Sequence, residues 1–105
     1  SEYCEYCRLL EEKFLVPMLV SGEYRDKILL RSVSLDSEKS MTGFQGKRTT
    51  GTELAEHYGV KTTPTLVFLD PNGLELSEKL VGIWSLDFFG GFIDERIDQA
   101  RQKIP

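Results

Sequence analysis

The sequence predicts an α/β domain, a central mixed sheet with flanking helices, and three observations predict it. An amphipathic stretch follows the closely spaced pair Cys4 and Cys7, two apolar runs are separated by Pro71-Asn72-Gly73, and a second amphipathic stretch closes the chain. The predicted order is CxxC, helix, strand, loop, helix, strand, hairpin strand, helix.

The first helix rests on Leu9, Leu10, Phe14, Leu15, Met18 and Leu19, with Glu5, Glu11, Glu12 and Lys13 on the other side. Pro17 should kink or break it, because proline removes a backbone donor and crowds the preceding turn. Ile28 to Asp36 is rich in strand formers and reads as a largely buried strand. Ser37 to Gly51 is polar, contains Gly43 and Gly46, and reads as a long exposed loop. Thr50 with Glu53 resembles a capping box that opens a short helix through Tyr58, and Gly59 suits its C-terminal cap.

Thr65 to Asp70 and Leu74 to Val81 read as two strands of a hairpin about the Pro71-Asn72-Gly73 turn. From Leu86 onward, Phe89, Phe92, Ile93, Ile97, Ala100 and Ile104 recur at helical spacing. Phe88, Phe89 and Phe92 are expected in the core, and Gly90-Gly91 is expected to allow close approach to the sheet. Trp84 and Tyr24 read as core or core edge, with a partner groove as the alternative. His57 reads as an ordinary surface residue near a helix end.

At 105 residues the chain is expected to form a single domain over 1–105. A net charge of -4 offers no electrostatic footprint for nucleic acid. No apolar run is long enough to span a bilayer. Protein or small-thiol partners fit better, with no metal and no nucleotide cofactor. Lys47 and Arg48 could steer an acidic partner, although two loop charges are usually just solvated.

Two cysteines three positions apart close almost no loop, so stapling the fold is a poor use for them. A zinc site needs about four ligands, against two Cys and one His here, unless a second chain contributes. A redox pair fits the α/β pattern best. A helix N-terminus stabilises a thiolate at Cys4, and Cys7, one turn later, can attack a mixed disulfide formed there. Between them lie Glu5 and Tyr6. A carboxylate beside the thiolate disfavours its charge and favours the disulfide over the dithiol, which makes the pair a reductant unless solvent screens Glu5.

The run Cys4-Glu5-Tyr6-Cys7 before an amphipathic helix, Tyr58-Gly59-Val60-Lys61-Thr62-Thr63-Pro64-Thr65 entering an apolar strand, and Asp70-Pro71-Asn72-Gly73 together resemble the thioredoxin superfamily. In detail the chain is similar to the periplasmic SoxS/SoxW-type thioredoxin-like proteins of sulfur-oxidation systems, which also extend the segment before the second helix. The resemblance implies a thioredoxin-like fold and a thiol-disulfide oxidoreductase with Cys4 attacking and Cys7 resolving. It further implies a cis Thr63-Pro64 bond beside the cysteines, with Thr63 and Pro64 contacting a substrate segment that adds as a strand.

The implied partner is a protein disulfide, a sulfur-carrier protein among the candidates, with an unidentified upstream electron donor, and the implied location is the periplasm. The tryptophan and Gly-Pro of thioredoxin's own motif are absent. So is the strand that precedes the cysteines in that fold, since only Ser1, Glu2 and Tyr3 come before Cys4. The expectation is therefore an N-terminally incomplete domain, or a strand supplied by another chain. A protein-binding module that keeps the fold without redox turnover is the alternative from another class.

Overall fold

The computed structural model describes residues 5–22, 28–34, 36–82 and 87–104. Cys4, Tyr24, Leu35, Trp84 and Leu86 lie outside the described residues, and the readings that fall on them with them.

The first amphipathic stretch is helical from Glu5 to Ser21 in three segments. α1 (Glu5–Leu10) passes into a π-helical turn (Glu11–Leu15), and α2 (Val16–Ser21) follows. Pro17 explains the π turn. It has no N–H to give, and the backbone widens just before it, so that the Val16 N–H donates five residues back to the Glu11 carbonyl. The expected kink thus takes the form of one wide turn, and the helix continues beyond it.

The β-hairpin forms as expected. β3 (Thr65–Leu69) pairs antiparallel with β4 (Glu75–Val81), from Thr65 opposite Val81 to Leu69 opposite Glu75, with two register irregularities between. At its tip the Asp70 side chain accepts from the backbone N–H groups of Asn72 at 2.8 Å and Leu74 at 3.0 Å, and Gly73 takes a φ of 92°. α4 (Phe89–Gln102) packs across the hairpin, burying Phe89, Ile93, Ile97 and Ala100. The Ser77 hydroxyl donates to the Arg96 carbonyl at 3.0 Å, and Arg96 Nε donates back to the Glu78 carbonyl at 3.1 Å.

Leu10, Leu80, Phe89, Ile93 and Ile97 form the core, and Phe14, Met18, Ile28, Leu66, Phe68 and Phe92 pack against it. Phe14 leans on Phe89 with ring centroids 5.3 Å apart. Burying such side chains stabilises by roughly 1.5–3 kcal/mol each. Phe88 departs from expectation: it caps the N-terminus of α4 and is 68% exposed. It lies about 100° around the helix from Phe89, off the i, i+3, i+4 stripe that meets the sheet. Gly90 faces the Phe14 ring rather than the sheet, at ordinary contact distance, and nothing approaches Gly91.

Two further readings are corrected. Ile28 to Asp36 is not a strand: residues 28–34 and Asp36 carry no strand assignment, and Leu29 is 87% exposed. Strand-forming side chains make a strand only when a neighbouring backbone completes the ladder, and among the described residues none runs alongside. Only Ile28 reaches the core cluster. Conversely, Ser37 to Gly51 is not a plain loop. It holds β1 (Met41–Thr42) paired antiparallel with β2 (Arg48–Thr49), joined through a 3₁₀ turn at Phe44–Gly46 in which Gln45 takes a φ of 60°. Two-residue strands carry too few side chains to show a period of two in sequence. The described sheets are therefore two antiparallel pairs.

α3 (Gly51–His57) opens as the sequence predicts, with the Thr50 hydroxyl accepting from the Glu53 N–H at 3.1 Å. Gly59, at a φ of 68°, follows its end. Gly51 is buried there, and a β-carbon on it would land on the Ser34 carbonyl oxygen, far inside van der Waals contact. The Thr52 N–H donates to the Ser37 carbonyl at 3.1 Å, so the start of α3 anchors the preceding segment.

Candidate functional site

Cys7 sits on the first turn of α1, half-buried and disulfide-bonded. The sequence holds a single other cysteine, Cys4, three residues upstream and outside the described residues. Glu5 and Tyr6, between them in sequence, are exposed, Tyr6 by 62%.

Thr63 and Pro64 form the bend that feeds β3. Their peptide bond is cis, as expected, and Pro64 is buried. The Thr65 hydroxyl donates to the Thr62 carbonyl at 2.7 Å across the bend. The Gly82 N–H donates to the Pro64 carbonyl at 2.7 Å, closing the hairpin at the end opposite its turn. One core cluster connects the two parts. Leu10, one helical turn past Cys7, is buried in the cluster against which Leu66, two residues past Pro64, also packs.

A second feature lies at the other end of the hairpin. A cleft of about 290 Å³ opens between the 41–49 hairpin, the end of α3 and the Asn72-Gly73 turn. Phe44 and Tyr58 converge on Gly73, where a β-carbon would come within 2.8 Å of the Phe44 ring and 2.9 Å of the Tyr58 hydroxyl. That hydroxyl donates to the Gly73 carbonyl. Burial, with the charges of Glu75 and Asp70 adding to it, raises the Tyr58 phenol above its ordinary value of 10.0. The His57 ring meets Tyr58 edge-on at 4.7 Å and is exposed, as expected of it.

Sequence reasoning singled out Lys47 and Arg48, which line this cleft, but missed Phe44, Tyr58 and Asn72. The one available signal was the Asp70-Pro71-Asn72-Gly73 turn, whose glycine marks a place where another side chain can approach closely. What approaches it, Phe44, lies 29 positions earlier in the chain.

A family model described as a thioredoxin-like domain matches residues 1–96. No curated protein and no solved structure matches the chain.

Proposed function

We propose, from the premise that this chain belongs to the thioredoxin-like domain family, that it exchanges dithiol for disulfide with a protein partner through Cys4 and Cys7. The observation that carries this reading is the disulfide-bonded state of Cys7 on the first turn of a helix, in a sequence whose one other cysteine stands three positions earlier.

In the reducing direction the Cys4 thiolate attacks one sulfur of the partner's disulfide. That bond breaks, a mixed disulfide forms, and the departing sulfur leaves as a thiolate that takes up a proton. Cys7, as thiolate, then attacks the Cys4 sulfur, releasing the partner's second thiolate and leaving a Cys4–Cys7 disulfide. Two electrons have passed to the partner, so an upstream donor must return two electrons and two protons. Thr63 and Pro64 hold the partner's segment as an added strand, a role carried over from the family resemblance. Glu5 disfavours the thiolate and so tunes the pair, an effect that its exposure to solvent weakens.

The narrower reading follows from the SoxS/SoxW-type resemblance alone: reduction of the carrier cysteine of a sulfur-carrier protein in the periplasm. It is supported by the Cys4-Glu5-Tyr6-Cys7 run and the lengthened segment before α3.

The test is a pair of variants. Cys4→Ser should abolish disulfide reduction, whereas Cys7→Ser should accumulate a mixed disulfide visible by mass under non-reducing conditions. Full multi-turnover activity in Cys7→Ser would overturn the assignment of roles.

A further inference from the structure

We infer that the cleft between the 41–49 hairpin, the end of α3 and the Asn72-Gly73 turn is a docking site for an acidic segment of a partner protein. The inference stands apart from the redox reading, because the cleft lies at the opposite end of β3 from Pro64, about 17 Å away for five residues of strand.

Charge selects the ligand. The chain carries a net charge of -4 and the Glu75 and Asp70 charges reach Tyr58 at the edge of the cleft, yet its lining holds no carboxylate and does hold the cations of Lys47 and Arg48. Among the described residues neither Lys47 nor Arg48 pairs with an acid. Arg48 donates to the Ser40 hydroxyl at 3.3 Å, which steadies the guanidinium and leaves most of its five N–H donors for a ligand. Exposed cations without partners attract an acidic surface and set its orientation.

Shape selects a peptide over a compact anion. Phe44 and Tyr58 offer aromatic surface, and the Tyr58–Gly73 hydrogen bond fixes the phenol ring in place. The volume is at the small end of ligand sites and accommodates one or two side chains. Phosphate is ordinarily held by converging backbone N–H groups at a helix start, whereas α3 brings its C-terminal end here, with its partial negative charge. A bare anion is disfavoured by that end. A peptide compensates by laying an apolar side chain on Phe44 and Tyr58 while its carboxylates reach Lys47 and Arg48. Exposed ion pairs are individually weak, so a short peptide is expected to bind weakly.

Amide NMR titration of the ¹⁵N-labelled chain tests this with three probes: a blocked pentapeptide Glu-Asp-Phe-Glu-Asp, its Gln/Asn counterpart, and inorganic phosphate. The acidic peptide should shift residues 43–49, 57–58 and 72–73, and added salt should weaken it. Joint Lys47→Glu and Arg48→Glu substitution should weaken binding about tenfold, from two lost pairs and new repulsion, in a protein whose remaining spectrum is unchanged. Lys39→Glu, an exposed lysine outside the cleft, should leave binding nearly as it was. The inference is overturned if millimolar acidic peptide leaves these residues unmoved, if the neutral peptide or phosphate moves them equally, or if the double variant binds as well as the parent. Reduction of the Cys4–Cys7 disulfide by a small dithiol should be the same in all these variants, so failure of the docking site and failure of the redox reading are separable.

Discussion

Residues 28–34 and residues 65–102 carry comparable apolar signals, and they end differently. In the second region Leu66 and Phe68 on β3, Leu80 on β4, and Phe89, Ile93 and Ile97 on α4 all find one another. In the first, Leu29 and Val33 stay exposed and only Ile28 reaches the core. Composition alone does not separate the two regions. The difference is that the hairpin supplies its own ladder partner across a five-residue connection, whereas 28–34 depends on a backbone that the described residues do not place beside it. A strand is a property of a pair of segments, and local sequence reports on one.

Core truncation should have the largest effect. Ile93→Ala should destabilise by about 2–5 kcal/mol in chemical denaturation, since Ile93 is only 2% exposed and its removal leaves a cavity in the core beneath α4. Next is Gly51→Ala. The added methyl must displace the Ser34 carbonyl at the start of α3, an overpacking expected to cost about 1–3 kcal/mol and to loosen the hydrogen bond that the Ser37 N–H donates to that carbonyl. Leu29→Ala should change stability by no more than about 0.5 kcal/mol, as for other exposed positions. A loss above about 2 kcal/mol there would show that Leu29 is buried in solution and that 28–34 does enter a sheet.

The smallest effect concerns pH. Because Tyr58 is raised above 10.0 in the fold, folding favours its neutral form. Its contribution is present below pH 10.0 and is lost as pH rises through the higher folded value. Ultraviolet titration of the parent minus Tyr58→Phe should show this phenol ionising above 10.0. A difference titration centred at or below 10.0 would mean that the phenol is not buried beside Glu75 and Asp70.

How far the sequence could be read follows the same division. Thr50 with Glu53, Gly59, and the Asp70 to Gly73 turn were legible because each acts within a few residues of itself. The wide turn before Pro17 was legible in place but not in form, since proline announces a missing donor without saying how the helix absorbs it. β1 and β2 were not legible, because two residues per strand show no alternation and their anchor, Phe44 against Gly73, joins distant parts of the chain. Of the site, the cis Thr63-Pro64 bond was anticipated, whereas Cys4, the residue expected at the helix start, lies outside the described residues and Cys7 falls on the first turn. The cleft was visible only as two adjacent cations on an apparent loop.

Whether Cys4 and Cys7 form a reducing, exchange-competent pair is decided by equilibrating the chain against glutathione buffers and reading the thiol state by alkylation and mass. A reversible two-electron equilibrium is expected, with a potential closer to thioredoxin's, about -270 mV, than to that of the oxidant DsbA, about -120 mV. A potential near the DsbA value would contradict the reducing role assigned through Glu5, and a pair that never exchanges with glutathione in the folded chain would contradict the redox reading itself.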